Sequence, residues 1–126
     1  MAAPTTVDAY IASFPPDVAE RLERIRGILV DAVAESGVEP EQKIRYGIGA
    51  VMLGGRYAIH FAGWKKHIGL YPVGTLDEPL EGEVAPYRAE KDSVVFLHRD
   101  PVPYELIARV AEAVVAKRGA GAAGKS

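Results

Sequence analysis

The chain has 126 residues, a formal net charge of −2, no cysteine, and an ordinary globular balance of 48% hydrophobic and 25% charged residues. That length fits one domain, and the charge gives no long-range attraction for nucleic acid or an anionic membrane. The lack of cysteine excludes disulfides, thiolate catalysis, zinc ribbons and cysteine-held iron–sulfur clusters. Met1-Ala2-Ala3-Pro4 has neither the basic start nor the apolar run of a secretory signal. No apolar stretch approaches the ~20 residues that a membrane helix needs. A soluble cytoplasmic protein is the expectation.

In chain order, Val7, Tyr10, Ile11 and Phe14 recur at helical spacing, with Thr5 or Thr6 as cap and Pro15-Pro16 as stop. Pro16 then opens a second helix, since its missing N–H costs nothing at the first position. Val18, Leu22, Ile25, Leu29 and Val33 form its buried stripe to about Glu35, and Ser36-Gly37 ends it with a glycine suited to the left-handed cap. Asp17 with Arg21 and Glu20 with Arg24 make a solvated face. Asp31, Glu35, Glu39 and Glu41 follow with no basic residue among them.

Lys43 to Pro72 reads as three strands: Lys43–Leu53, Tyr57–Ala62 and His67–Pro72. Gly54-Gly55 marks a type I′ turn between the first two. The register expected from it sets Met52 opposite Tyr57, Ala50 opposite Ile59 and Ile48 opposite Phe61. The second turn, Gly63 to Lys66, would set Ala62 opposite His67 and Phe61 opposite Ile68. Alternation then gives a core face of Tyr46, Ile48, Ala50, Met52, Tyr57, Ile59, Phe61, Ile68 and Leu70. The opposite face carries Arg45, Gly47, Gly49, Val51, Ala58, His60, Ala62, His67, Gly69 and Tyr71. A glycine and alanine floor with polar groups above it describes a shallow pocket.

Gly74 to Glu90 is an acidic connector with room for one helical turn at most, given Pro79, Gly82 and Pro86. Ser93–His98 reads as a further strand. Pro103 opens a last helix with the stripe Leu106, Ile107, Val110, Ala113 and Val114, and residues 119–126 form a flexible Ala/Gly-rich tail. The expected fold is α+β: an antiparallel sheet of four to five strands with two N-terminal helices and one C-terminal helix packed on it, in a single domain over residues 1–118.

No serine-nucleophile elbow, phosphate-binding P-loop, H-E-x-x-H or calcium loop is present, so no catalytic residue is assigned. Trp64-Lys65-Lys66 reads as a solvated turn in preference to a nucleic-acid finger. His60 and His67, on adjacent strands and one face, would sit diagonally and could meet on a divalent metal, with a carboxylate supplied from a loop. Alternatively, each histidine bonds within the sheet. Lys43, Arg45 and Tyr46 open the first strand and would hold a small anion above the glycines. The pocket so expected comprises Lys43, Arg45, Tyr46, Gly47, Gly49, His60, His67, Gly69 and Tyr71.

Val7-Asp8-Ala9-Tyr10-Ile11 with Phe14-Pro15-Pro16, then Lys43-Ile44-Arg45-Tyr46-Gly47, resembles the YdhG-like family, a domain of unknown function. So do Lys65-Lys66-His67-Ile68-Gly69-Leu70-Tyr71-Pro72 and Pro101-Val102-Pro103-Tyr104-Glu105-Leu106-Ile107. The resemblance spans about Val7 to Lys117 and implies an α+β sheet domain. One branch of the family is described as frataxin-like, which implies an intracellular iron chaperone serving iron–sulfur cluster or haem assembly proteins. In that case iron(II) would meet Asp77, Glu78, Glu81 and Glu83 of the connector, with His60 and His67 as further ligands. The alternative is a pocket for an anionic or aromatic small molecule in a subunit or partner of an enzyme. Neither reading involves nucleic acid or a membrane, and either suits a monomer or a homodimer.

Overall fold

The computed structural model describes residues 4–90 and 92–123, with side chains as far as residue 118 in the last helix. The elements follow in the order α1 (Val7–Ala12), α2 (Pro16–Glu35), β1 (Glu41–Arg45), β2 (Ile48–Leu53), β3 (Arg56–Gly63), β4 (His67–Tyr71), α3 (Leu80–Val84), β5 (Val94–Leu97) and α4 (Tyr104–Ala123), with a 3-10 turn at Ala85–Tyr87. The five strands lie in sequence order in one antiparallel sheet, so the fold is α+β. No described helix is long and apolar enough to cross a membrane. Met1–Ala3, on which the reading of the N-terminus rests, lie outside the described residues.

The helix boundaries follow local chemistry. The Thr6 side chain accepts a hydrogen bond from the Ala9 amide at 3.1 Å and caps α1. Pro16 is the first residue of α2, and Gly37, with φ of +91°, follows its C-terminus in the left-handed conformation. Leu22, Ile25 and Val33 of α2 are fully buried. They share one core with Ile107, Val110 and Val114 of α4 and with Val51, Ile59, Phe61, Ile68, Leu70, Val94 and Phe96 of the sheet. Fully burying each large side chain contributes about 1.5–3 kcal/mol, which makes this face of the sheet the dominant organiser of the molecule. Tyr10 is buried with its hydroxyl accepting from the Gly63 amide at 3.0 Å, which ties α1 to the end of β3.

Three expectations about the strands need correction. The stretch from Lys43 to Leu53 is two strands, because Tyr46 and Gly47 adopt φ of 55° and 76° and turn the chain back on itself. The Gly54-Gly55 turn and the Met52–Tyr57 pairing stand as expected, but a bulge follows: Val51 pairs with Ile59, Ala50 with His60 and Gly49 with Phe61. The extra residue on β3 reverses the faces of β2. Val51 joins the core, while Ala50 and Met52 share the face of His60. In the next hairpin Phe61 pairs with Leu70 and Ala62 with Gly69, a shift of two residues that keeps the faces but slides the strands. Finally, α4 continues through Gly119 to Ala123, so the Ala/Gly-rich segment begins as helix; residues 124–126 are not described.

Candidate functional site

A cleft of about 450 Å³ opens at the end of the sheet beside the Gly54-Gly55 turn, lined by Lys43, Arg45, Met52, Gly55, Arg56, Tyr57 and Arg118. Pairing explains the assembly. Glu41, Met52 and Tyr57 form one row across β1, β2 and β3, and Lys43, Ala50 and His60 form the next. Residues paired side by side project from the same face, so Lys43, Arg45, Met52 and Tyr57 all rise from the side of the sheet away from the core. Arg56 enters from the first position of β3, next to the Gly54-Gly55 turn. Arg118 arrives from the far end of the chain, where its Nε donates to the Ala58 carbonyl at 2.8 Å.

The lining has four basic side chains and no acidic one. Two of the cations are fixed over the phenol ring of Tyr57: the Arg45 guanidinium carbon lies 5.0 Å and that of Arg118 4.5 Å from the ring centre. Arg45 also lies 5.2 Å from the ring of Tyr46. Such contacts stabilise by about 0.5–1 kcal/mol each where exposed, enough to orient the guanidinium groups without neutralising them. Arg118 spends its Nε on the Ala58 carbonyl and Arg45 one amino group on the Tyr46 hydroxyl, and the remaining N–H groups can meet an oxyanion such as phosphate or carboxylate.

His60 lies behind the Tyr57 wall. Its ring centre is 5.0 Å from that of Tyr57 and 5.9 Å from that of Tyr46, and it is 6% exposed. Its Nδ1 is 3.2 Å from the Tyr71 carbonyl oxygen. A carbonyl only accepts, so Nδ1 carries the proton and donates. Nε2 is then a bare acceptor, buried and with no hydrogen-bond partner among the described residues. Burial pushes the imidazole pKa below its ordinary value, the Tyr71 carbonyl opposes this, and the charges of Arg45 and Arg118 add to the lowering. Burial thus favours the neutral form of the histidine beside the cleft.

Of the residues expected to form a pocket, Lys43 and Arg45 line the cleft, and Tyr46 and His60 adjoin it. The others lie elsewhere. Gly47 is in the first hairpin turn. Gly49 faces the core, where the Phe61 ring occupies the place of a side chain; a Cβ there would meet it at 2.5 Å. Gly69 lies on the His60 face but under Tyr71, whose hydroxyl accepts from Trp64 Nε1 at 2.8 Å. The expected glycine floor is thus filled on both sides of the sheet. Arg56 and Arg118 are additions that the strand pattern did not bring forward; Arg118 sits 60 residues from the carbonyl it holds.

His60 and His67 share a face, opposite Ile59, Phe61, Ile68 and Leu70, as alternation requires. Tyr71 is the partner of His60, however, and His67 lies four residues back along β4. At ~3.3 Å per residue this separates the two by ~13 Å along the strands, so they do not converge on one ion. Among the acids of the connector, Glu81 is bound to Arg88 and Glu83 to Arg109, each at 2.7 Å. Those hydrogen bonds hold both carboxyl pKa values below their ordinary range. Asp77 and Glu78 are exposed, and Glu78 accepts from the Gly82 amide at 3.0 Å. Arg88 also donates to the carbonyls of Val73 and Gly74, so the connector is built around a structural arginine. Among the described residues no group of three His, Asp or Glu side chains is placed to hold a metal ion.

No family model and no curated protein matches the sequence. Among solved structures, the chain is similar to the crystal structure of a protein from the DUF1801 family, YdhG of Bacillus subtilis. The TM-score is 0.74 at 19% identity, covering 90% of this chain and 91% of that one. The chain has the YdhG fold. A likeness over nine-tenths of the chain agrees with the long span of the motif resemblance, Val7 to Lys117. At this identity it speaks to architecture alone, and the chemistry of the cleft has to be read from this chain's own residues.

Proposed function

We propose that the protein is a binding protein for a small oxyanion-bearing molecule, held in the cleft of Lys43, Arg45, Arg56 and Arg118. The observation that carries this reading is the segregation of charge: four cations, none of them ion-paired among the described residues, line one concavity in a chain whose net charge is −2. Tyr57 supplies an aromatic wall between them, which favours a ligand with a flat or apolar portion beside its anionic group.

Iron(II) is the less favoured cargo. Two of the four connector acids already neutralise arginines, and the two candidate histidines stand apart along the sheet. A hard cation would gain little from carboxylates so engaged.

Calorimetric titration with pyrophosphate tests the proposal. The wild-type protein is expected to bind, with an affinity that falls as salt is added, because the site is open to solvent and its attraction is screened. Arg45→Gln combined with Arg56→Gln should weaken binding by about 1.5–3 kcal/mol for each charge-assisted hydrogen bond lost. Unchanged heats in the double variant would refute the assignment.

A further inference from the structure

We propose that His60 Nε2 is a recognition element of this cleft, accepting a hydrogen bond from the bound anion. The cleft then selects anions that carry their own hydroxyl or N–H donor over those that carry none. The inference rests on the anion reading above and narrows its ligand class.

An imidazole that is 6% exposed, with one nitrogen committed to Tyr71 and the other unpartnered among the described residues, calls for a reason. Its surroundings supply one. Tyr57 is at once a wall of the cleft and a neighbour of the imidazole at 5.0 Å. In the row Lys43, Ala50, His60 only an alanine methyl separates the cleft lysine from the histidine. On the other side stands Tyr46, whose ring is 5.9 Å from that of His60 and which is 85% exposed. A tyrosine so exposed is held by little packing, and turning its ring aside opens a way to Nε2.

The tautomer sets the selectivity. Because Nδ1 donates to the Tyr71 carbonyl, neutral Nε2 can only accept. Sulfate and a simple carboxylate offer no proton to it, whereas hydrogen phosphate offers one. Arg45 and Arg118, the nearest cations, attract each anion alike and so contribute nothing to the discrimination.

The experiment compares hydrogen phosphate, sulfate and pyrophosphate by titration at about pH 8, where the first two carry the same double charge. The wild-type protein is expected to prefer phosphate over sulfate by up to about tenfold, the increment of one hydrogen bond to a neutral acceptor. His60→Phe should keep the sulfate affinity and lose the preference. The 15N resonance of His60 Nε2 in the wild-type protein should move with phosphate and not with sulfate, which tests the contact whether or not the variant folds. Equal affinity for phosphate and sulfate, a preference that survives in His60→Phe, or an Nε2 resonance indifferent to phosphate overturns the inference. If pyrophosphate binds while any of these holds, the anion reading stands without it; if none of the three anions binds, both fall.

Discussion

His60 and Tyr46, beside the cleft, are single residues that each carry a local cost. Tyr46 adopts a φ of 55°, a left-handed conformation that a bulky side chain rarely takes, at about 1–3 kcal/mol. His60 gives up the solvation of one nitrogen without gaining a partner among the described residues. Its pH dependence follows from the lowered pKa. Between that value and the ordinary 6.5 the unfolded chain binds more protons than the folded one, so stability rises with pH there. The contribution is complete above about 6.5 and is lost as the pH falls through the folded value. Urea unfolding on either side of that window should therefore show a loss of stability on acidification that His60→Phe largely lacks. Glu81 and Glu83, whose pKa values are lowered by Arg88 and Arg109, act only below the ordinary 4.5, so the part of the window above that is free of them. An identical acid dependence in the variant would show that His60 is not the group responsible.

At the scale of elements, glycine decides how closely the sheet is covered. Gly49→Ala drives a Cβ to 2.5 Å from the tip of Phe61, a fully buried ring with nowhere to move. Gly69→Ala meets Tyr71, whose half-buried ring can swing outward once its bond from Trp64 is given up. The first substitution should destabilise by about 1–3 kcal/mol and the second by less. Denaturant midpoints rank the two, and the reverse order would show that Gly49 does not face the core.

This is also where the sequence was readable and where it was not. Pro16, Ser36-Gly37 and Gly54-Gly55 punctuate the chain through strong local preferences, and the observed α2 and β2–β3 turn begin and end there. Tyr46-Gly47 carries only half of the usual turn signal, since tyrosine does not favour positive φ, and so two strands read as one. The bulge beyond Met52 has no signature in residue type at all. It arises because Ile59 and Phe61 bury large apolar surface, and β2 adjusts by one residue to bring Val51 inside with them.

Across the whole molecule, a net charge of −2 conceals a strong separation of sign. Glu81 and Glu83 of the connector are spent on Arg88 and Arg109, and Asp8 and Glu23 on Arg26. The cations of the cleft come from β1, the first residue of β3 and the last turns of α4, and only the closed fold brings Arg118 into one cleft with Lys43. Lys43 and Arg45 could be marked from their position on a strand; Arg56 and Arg118 belong to the site through tertiary structure alone. The most direct measurement is an NMR titration of the isotope-labelled protein with pyrophosphate. The side-chain signals of Arg45, Arg56 and Arg118 and the ring of Tyr57 should move together and saturate, while Asp77 to Glu83 and Trp64 stay in place. Shifts centred on the connector or on Trp64, or none anywhere, would contradict the cleft as the seat of function.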